Sequence, residues 1–160
     1  VITLDDLFAD VDDAFEDLRS SGEDETAQRR AGRAVLGALF EMREEFRISQ
    51  GGAYWTEVER GIHGKVAEGI LVIRGRMTHG PLNEIRPAVK LADPGPKFFP
   101  SNYTYPGSNL TWLELDDMPT ADRAELERRD NRMRYADHVA GHMVLPTLDI
   151  ARQFYRRLTP

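Results

Sequence analysis

Seven apolar side chains recur at spacings of three or four along one stretch: Trp55, Val58, Ile62, Val66, Ile70, Ile73 and Met77. That interval is the repeat of one face of an α-helix. The run then meets His79-Gly80-Pro81, a strong helix stop. One long helix starting near residue 54 or 55 is therefore expected. Gly61, Gly64 and Gly69 fall inside it. Each weakens it by roughly 1 kcal/mol relative to Ala, or else marks close packing against a partner helix.

Two amphipathic helices are expected to precede it. Leu4, Leu7, Phe8, Val11, Ala14, Phe15 and Leu18 form one stripe, with acidic residues mostly on the other side. Thr3 is the expected N-cap, with Asp6 completing a capping box, and Ser20-Ser21-Gly22 the end. The second helix is expected over residues 24–47, burying Ala27, Ala31, Ala34, Val35, Ala38, Leu39, Met42 and Phe46. Gln50-Gly51-Gly52 breaks it.

Beyond the stop, a weaker helical stretch is expected over residues 82–91. Asp93-Pro94-Gly95-Pro96 marks a linker or turn. Phe98-Phe99, Tyr103-Thr104-Tyr105 and Thr111–Leu115 are aromatic and β-branched, with Pro106-Gly107-Ser108-Asn109 between the last two. They read as a small β-hairpin or extended flap. A helix is expected over 121–140, broken by Gly141 and Pro146. A final one is capped by Thr147 and carries Leu148, Ile150, Ala151, Phe154 and Tyr155. The fold class is all-α: an antiparallel helical bundle with a small aromatic insertion and two C-terminal helices. Residues 1–92 form the bundle core, and residues 93–160 pack on the same core.

The 160 residues suffice for one well-buried core. A net charge of -6 argues against a general nucleic-acid coat protein, though not against a local basic site. With no cysteine there is neither a disulfide framework nor thiolate chemistry. No apolar run approaches a membrane span, and residues 1–6 lack a signal core. The expected protein is soluble, cytoplasmic and free of the membrane.

The most chemical feature is the end of the third helix, Ile70-Leu71-Val72-Ile73-Arg74-Gly75-Arg76-Met77-Thr78-His79. Arg74 forks onto phosphate oxygens, and His79 exchanges a proton near neutral pH. On an ideal continuous helix the two stand about 140° apart. The stop at Gly80 releases His79 from that register, and a symmetric dimer offers a second way to join Arg and His. Carbonyls at a helix C-terminus favour a protonated imidazole. The same macrodipole explains an Arg and a capping His there with no chemistry at all.

An Arg-x4-His motif ending a long apolar helix, after two amphipathic helices, resembles the HEPN superfamily (higher eukaryote and prokaryote nucleotide-binding). The resemblance covers roughly residues 1–92. The closing stretch, with Trp112-Leu113-Glu114-Leu115, Tyr135, His138–Gly141 and Thr147-Leu148, is similar to a tail of actinobacterial and phage-borne members. The resemblance implies a dimeric helical bundle. It also implies a metal-independent endoribonuclease of toxin or defence type, in which Arg74 and His79 are catalytic and no cofactor is needed. Its partners would be RNA and, for a toxin, an antitoxin protein. Arg76 would assist Arg74; by side-chain type Tyr103, Tyr105 and Trp112 suit base stacking in a substrate site, and core packing of a small hairpin explains these aromatics equally well. Active members often carry a polar residue after the Arg, and here Gly75 follows. The alternative is a non-catalytic binding or assembly protein of a toxin–antitoxin or phage-related system.

Two other constellations compete. His138 and His142 stand at the i, i+4 spacing that can share a metal, with His63 a conceivable third ligand. No Glu follows His138 as in a zinc protease, and a capping or packing role is preferred. Arg123, Arg128, Arg129, Arg132 and Arg134 form a basic cluster diluted by acids, which reads first as a salt-bridged surface. Beside Arg74 it would guide an RNA backbone.

Overall fold

Thr3 caps the first helix by closing a capping box. Its hydroxyl accepts from the Asp6 N–H at 3.2 Å, and the Asp6 carboxylate accepts from the Thr3 N–H at 2.8 Å. The computed structural model describes residues 2–22, 24–78, 89–91, 110–118 and 120–159, with the backbone alone for residues 25, 74–78 and 89–91. The capped helix is α1, Leu4–Ser20, and its buried stripe is Leu7, Val11, Ala14, Phe15 and Leu18. Asp24 caps α2, Glu25–Gln50, by accepting from the N–H groups of Thr26 and Ala27. The helices form a hairpin, packed along one another. Arg152 and Arg156 pin this pair to the last helix through Asp12, and they lie over the rings of Phe15 and Phe8.

Gly51 ends α2 at φ 56°, a conformation that suits glycine. The expected third helix is two helices, α3 (Gly52–Arg60) and α4 (Ile62–Thr78). The break is Gly61, whose backbone is fully extended. The apolar spacing runs on across it, but Ile62, in the middle of the stripe, is 45% exposed, while Val58 and Val66 are sealed. Gly64 and Gly69 are close contacts. A Cβ on Gly64 would sit 2.5 Å from the Val58 Cα, and one on Gly69 would sit 2.8 Å from the Arg134 carbonyl oxygen.

Of the stretch expected to be helical over 82–91, the three described residues are strand. β1, Val89–Leu91, pairs antiparallel with β2, Leu110–Trp112, in the register Val89 to Trp112. The strand paired with β2 therefore precedes the Asp93–Pro96 segment, and Tyr103–Tyr105 lie outside the described residues. The Pro106–Asn109 turn, Phe98-Phe99 and the Gly80-Pro81 stop lie outside the described residues. On its other side β2 exchanges backbone bonds with the turn at Gly141 and His142.

The helix expected over 121–140 is also two: α5, Thr120–Arg129, and α6, Arg134–His138. Between them the buried Asp130 turns the chain. Its carbonyl accepts from the Met133 N–H at 2.9 Å, and its carboxylate accepts from the Ala136 N–H at 3.0 Å. Met133 is forced to φ 55°, a strained setting for a bulky residue. The last helix, α7, is Val144–Leu158 and starts before Thr147. Pro146 falls in its first turn, where the missing N–H leaves no bond unmade. Thr147 is therefore not the cap. Its buried hydroxyl accepts from the Trp112 indole N–H at 2.6 Å.

The fold is the expected mostly helical bundle. One hydrophobic cluster runs from Leu7 to Tyr155, so the C-terminal segment packs on the core of the first helices. α4 is its axis, with α2, α3, α6 and α7 around it.

The glycines give a test with opposite signs. Gly64→Ala and Gly69→Ala each lose about 1–3 kcal/mol of stability, because neither backbone contact can move far. Gly37→Ala, with open space around its Cβ on α2, gains up to about 1 kcal/mol. Urea unfolding followed by circular dichroism measures all three.

Candidate functional site: a guanidinium-lined cleft

α4 carries one acid among apolar neighbours, Glu68 in Val66-Ala67-Glu68-Gly69-Ile70. The helix is covered on several sides, so this carboxylate is only 5% exposed. A buried charge requires partners. Arg43 of α2 supplies a fork, with Nε 3.1 Å from Oε1 and Nη2 3.3 Å from Oε2. The Tyr54 hydroxyl of α3 donates to Oε1 and lies 3.5 Å from the Tyr155 hydroxyl of α7. Arg134 of α6 stands 3.9 Å from Oε2. Five helices thus meet on one carboxylate.

Burial would depress the Arg43 pKa, but the Glu68 carboxylate more than reverses this and holds the guanidinium above its ordinary value. Desolvation, then neighbouring Tyr155 and Glu68, pushes the Tyr54 hydroxyl up. Burial does the same for Tyr155 and Tyr135.

The outward side of this network is a cleft of about 420 Å³. Trp55 lies in it, with the Arg43 and Arg134 guanidiniums 5.5 and 5.7 Å from its ring centre. Arg129 and Arg132 bring two more cations, and the strained Asp130–Arg134 loop is its rim. At the mouth Glu59 takes Arg132 at 2.7 Å and also Arg134, and these bonds hold its carboxyl below the usual range. Leu71 and Val72 of α4 form part of the wall. The cleft offers charged forks and an aromatic edge, which suits an anionic ligand with a planar part.

Arg74 and Arg76 lie on the final turns of α4, just past Leu71 and Val72. A rise of about 1.5 Å per residue puts the Arg76 backbone roughly 6 Å along the axis from Val72. His79 and Tyr105 lie outside the described residues. Trp112, expected to bind substrate, is a core residue at 2% exposure, with its N–H spent on Thr147, so no face is open to a base. The basic cluster is the salt-bridged surface expected first: Arg123 pairs with Asp116 and Glu127, and Arg128 and Arg129 with Glu125. His142 is buried, with Nδ1 3.0 Å from the Ala140 carbonyl oxygen, and no metal-holding group of His, Asp or Glu exists among the described residues.

Three central residues were not singled out from sequence: Arg43, Trp55 and Glu68. The signal for Glu68 was present, as an uncompensated acid in an apolar helix. Trp55 was assigned to the buried stripe, but its neighbour Tyr54 takes that place at 0% exposure. No family model matches the chain, and no curated protein or solved structure matches it either.

Glu68→Ala costs about 3 kcal/mol or more, because the buried Tyr54 hydroxyl loses its acceptor and Arg43 keeps only Glu44 among the described residues. The double change Arg43→Met with Glu68→Leu recovers much of the loss, as read from urea midpoints. The tyrosines give a second test. An unfolded chain releases their protons near the ordinary value of 10.0, while the folded one keeps them. The unfolded state then binds fewer protons, so stability is intact below pH 10 and falls above it. Melting temperature falls progressively as pH rises above about 10, and falls less in Tyr155→Phe.

Proposed function

We propose that the protein acts on RNA as a HEPN-like, metal-independent endoribonuclease, with Arg74 and His79 as its catalytic pair. One observation carries this reading. α4 leads from the wall of the guanidinium-lined cleft directly into the turns that bear Arg74 and Arg76. An RNA strand along this path meets Arg132 and Arg134 on its phosphates and Trp55 beside a base. Arg76 and Tyr105 complete the binding set, and Trp112 is dropped from it.

The chemistry uses RNA's own nucleophile. His79 takes the 2′-hydroxyl proton, the 2′-oxygen bonds to phosphorus, and the bond to the 5′-oxygen breaks. That oxygen leaves as a hydroxyl, its proton supplied by water. Arg74 stabilises the charge growing on the phosphoryl oxygens. The products are a 2′,3′-cyclic phosphate and a 5′-hydroxyl, so DNA survives. A homodimer brings two such sites together, and an antitoxin protein is the partner this class of activity calls for. Among the described residues no helix is long and apolar enough to cross a membrane.

A non-catalytic RNA- or protein-binding role is the second reading. It is favoured by Glu59 sitting in the forks of Arg132 and Arg134, and by Gly75 after Arg74.

Labelled RNA incubated in EDTA separates the two. The parent protein yields fragments ending in a cyclic phosphate. His79→Ala and Arg74→Ala, folded by circular dichroism, lose at least about a hundredfold in rate. Retained cleavage in His79→Ala, or none by the parent, overturns the nuclease reading.

A further inference from the structure

Glu59 lies in the last turn of α3, and one of its oxygens takes two guanidiniums from the rim of the cleft. Its Oε1 accepts from Arg132 Nη1 at 2.7 Å and also from Arg134 Nη2. These are the forks that the proposed function gives to RNA phosphates. The rim is therefore already filled by an anion of the chain itself.

The two cations are held differently. Arg134 begins α6 with its side chain largely buried, its guanidinium over Trp55 and its backbone carbonyl close to Gly69. Arg132 is mostly exposed in the loop. Met133 stands between them at φ 55°, a strained turn that brings residues 132 and 134 onto one acceptor. The neighbouring charges are fully matched. Arg43 has Glu44 and Glu68, Arg129 has Glu125, and the Asp130 carboxylate adds a further acid. With Glu59 in place the cleft offers a polyanion no surplus of positive charge. Glu68 and Asp130 are buried and cannot turn away. Glu59 is the acid at the mouth, its side chain 45% exposed. An ion pair that open to water is weak and screened by salt. A phosphate oxyanion suits the same forks and carries its charge on more oxygens.

We propose that Glu59 is an internal competitor that gates the cleft: a ligand phosphate displaces its carboxylate from Arg132 and Arg134, and the cleft then accepts a polyanion. This regulation rests on the reading of the cleft as a phosphate-binding surface.

The test titrates the full chain with two probes while following the Trp55 indole N–H by NMR. One probe is a 2′-O-methyl oligonucleotide, which lacks the nucleophile for its own cleavage. The other is tripolyphosphate. Glu59→Gln keeps the side-chain shape, removes the charge and tightens both probes by about tenfold. Glu57→Gln removes one charge from the same helix, where Glu57 pairs with Arg60, and changes affinity by less than about twofold. Adding Arg132→Gln to Glu59→Gln abolishes the gain. Equal gains in Glu57→Gln and Glu59→Gln reduce the effect to net charge and overturn the gate. Unaltered or absent binding of both probes in Glu59→Gln overturns it as well. If Glu59→Gln tightens tripolyphosphate while the oligonucleotide binds neither protein, the gate stands and the RNA reading falls. If the oligonucleotide moves Trp55 equally in the parent and in Glu59→Gln, the RNA reading stands and the gate falls.

Discussion

The buried carboxylate of Glu68 is the interaction on which this molecule's arrangement depends. A charge at that depth is tolerable only with a counter-ion and hydrogen-bond donors at fixed places. Arg43, Tyr54 and Arg134 come from three helices, and Tyr155 joins from a fourth through Tyr54. Hydrophobic contact alone allows helices to slide, because it is non-directional. A shared carboxylate fixes their register. It also orients the guanidiniums of Arg43 and Arg134 about Trp55, so the internal bond and the outer cleft are two sides of one constraint.

α4 carries that constraint along the length of the molecule's centre. It begins beside His63, passes the carboxylate at its middle, and ends in the segment of Arg74 and Arg76. Its glycines let neighbouring backbones approach where a side chain would forbid it. Packing therefore makes demands along the whole of this helix, with Glu68 near its middle.

Much of the fold was readable from residue spacing. The α1 stripe, its Thr3–Asp6 box and the Gly51 break appear where the pattern puts them, since each is decided within a few residues. The breaks at Gly61 and at Asp130–Met133 were not readable. Apolar spacing continues through Gly61, while residues 127–132 are all polar yet contain neither Gly nor Pro, and the turn there is set by the buried Asp130 carboxylate. β1 was hidden for a related reason, because a three-residue strand is defined by its partner Leu110–Trp112. For the site, side-chain type pointed to the α4 end, yet Arg43 and Trp55 needed the packing of α2, α3 and α6 to be brought together. Trp112 shows the converse: an aromatic that suits base stacking by type is a core residue once Thr147 is seen to take its N–H.

The chain has two tryptophans, and their placement allows a direct measurement. Titration with a short single-stranded RNA, watched at the two indole N–H resonances, tests whether the guanidinium-lined cleft is the surface that meets nucleic acid. The Trp55 signal is expected to move and saturate while that of Trp112, locked to Thr147, stays in place. RNA that binds without moving Trp55, or that fails to bind at low salt, would contradict it.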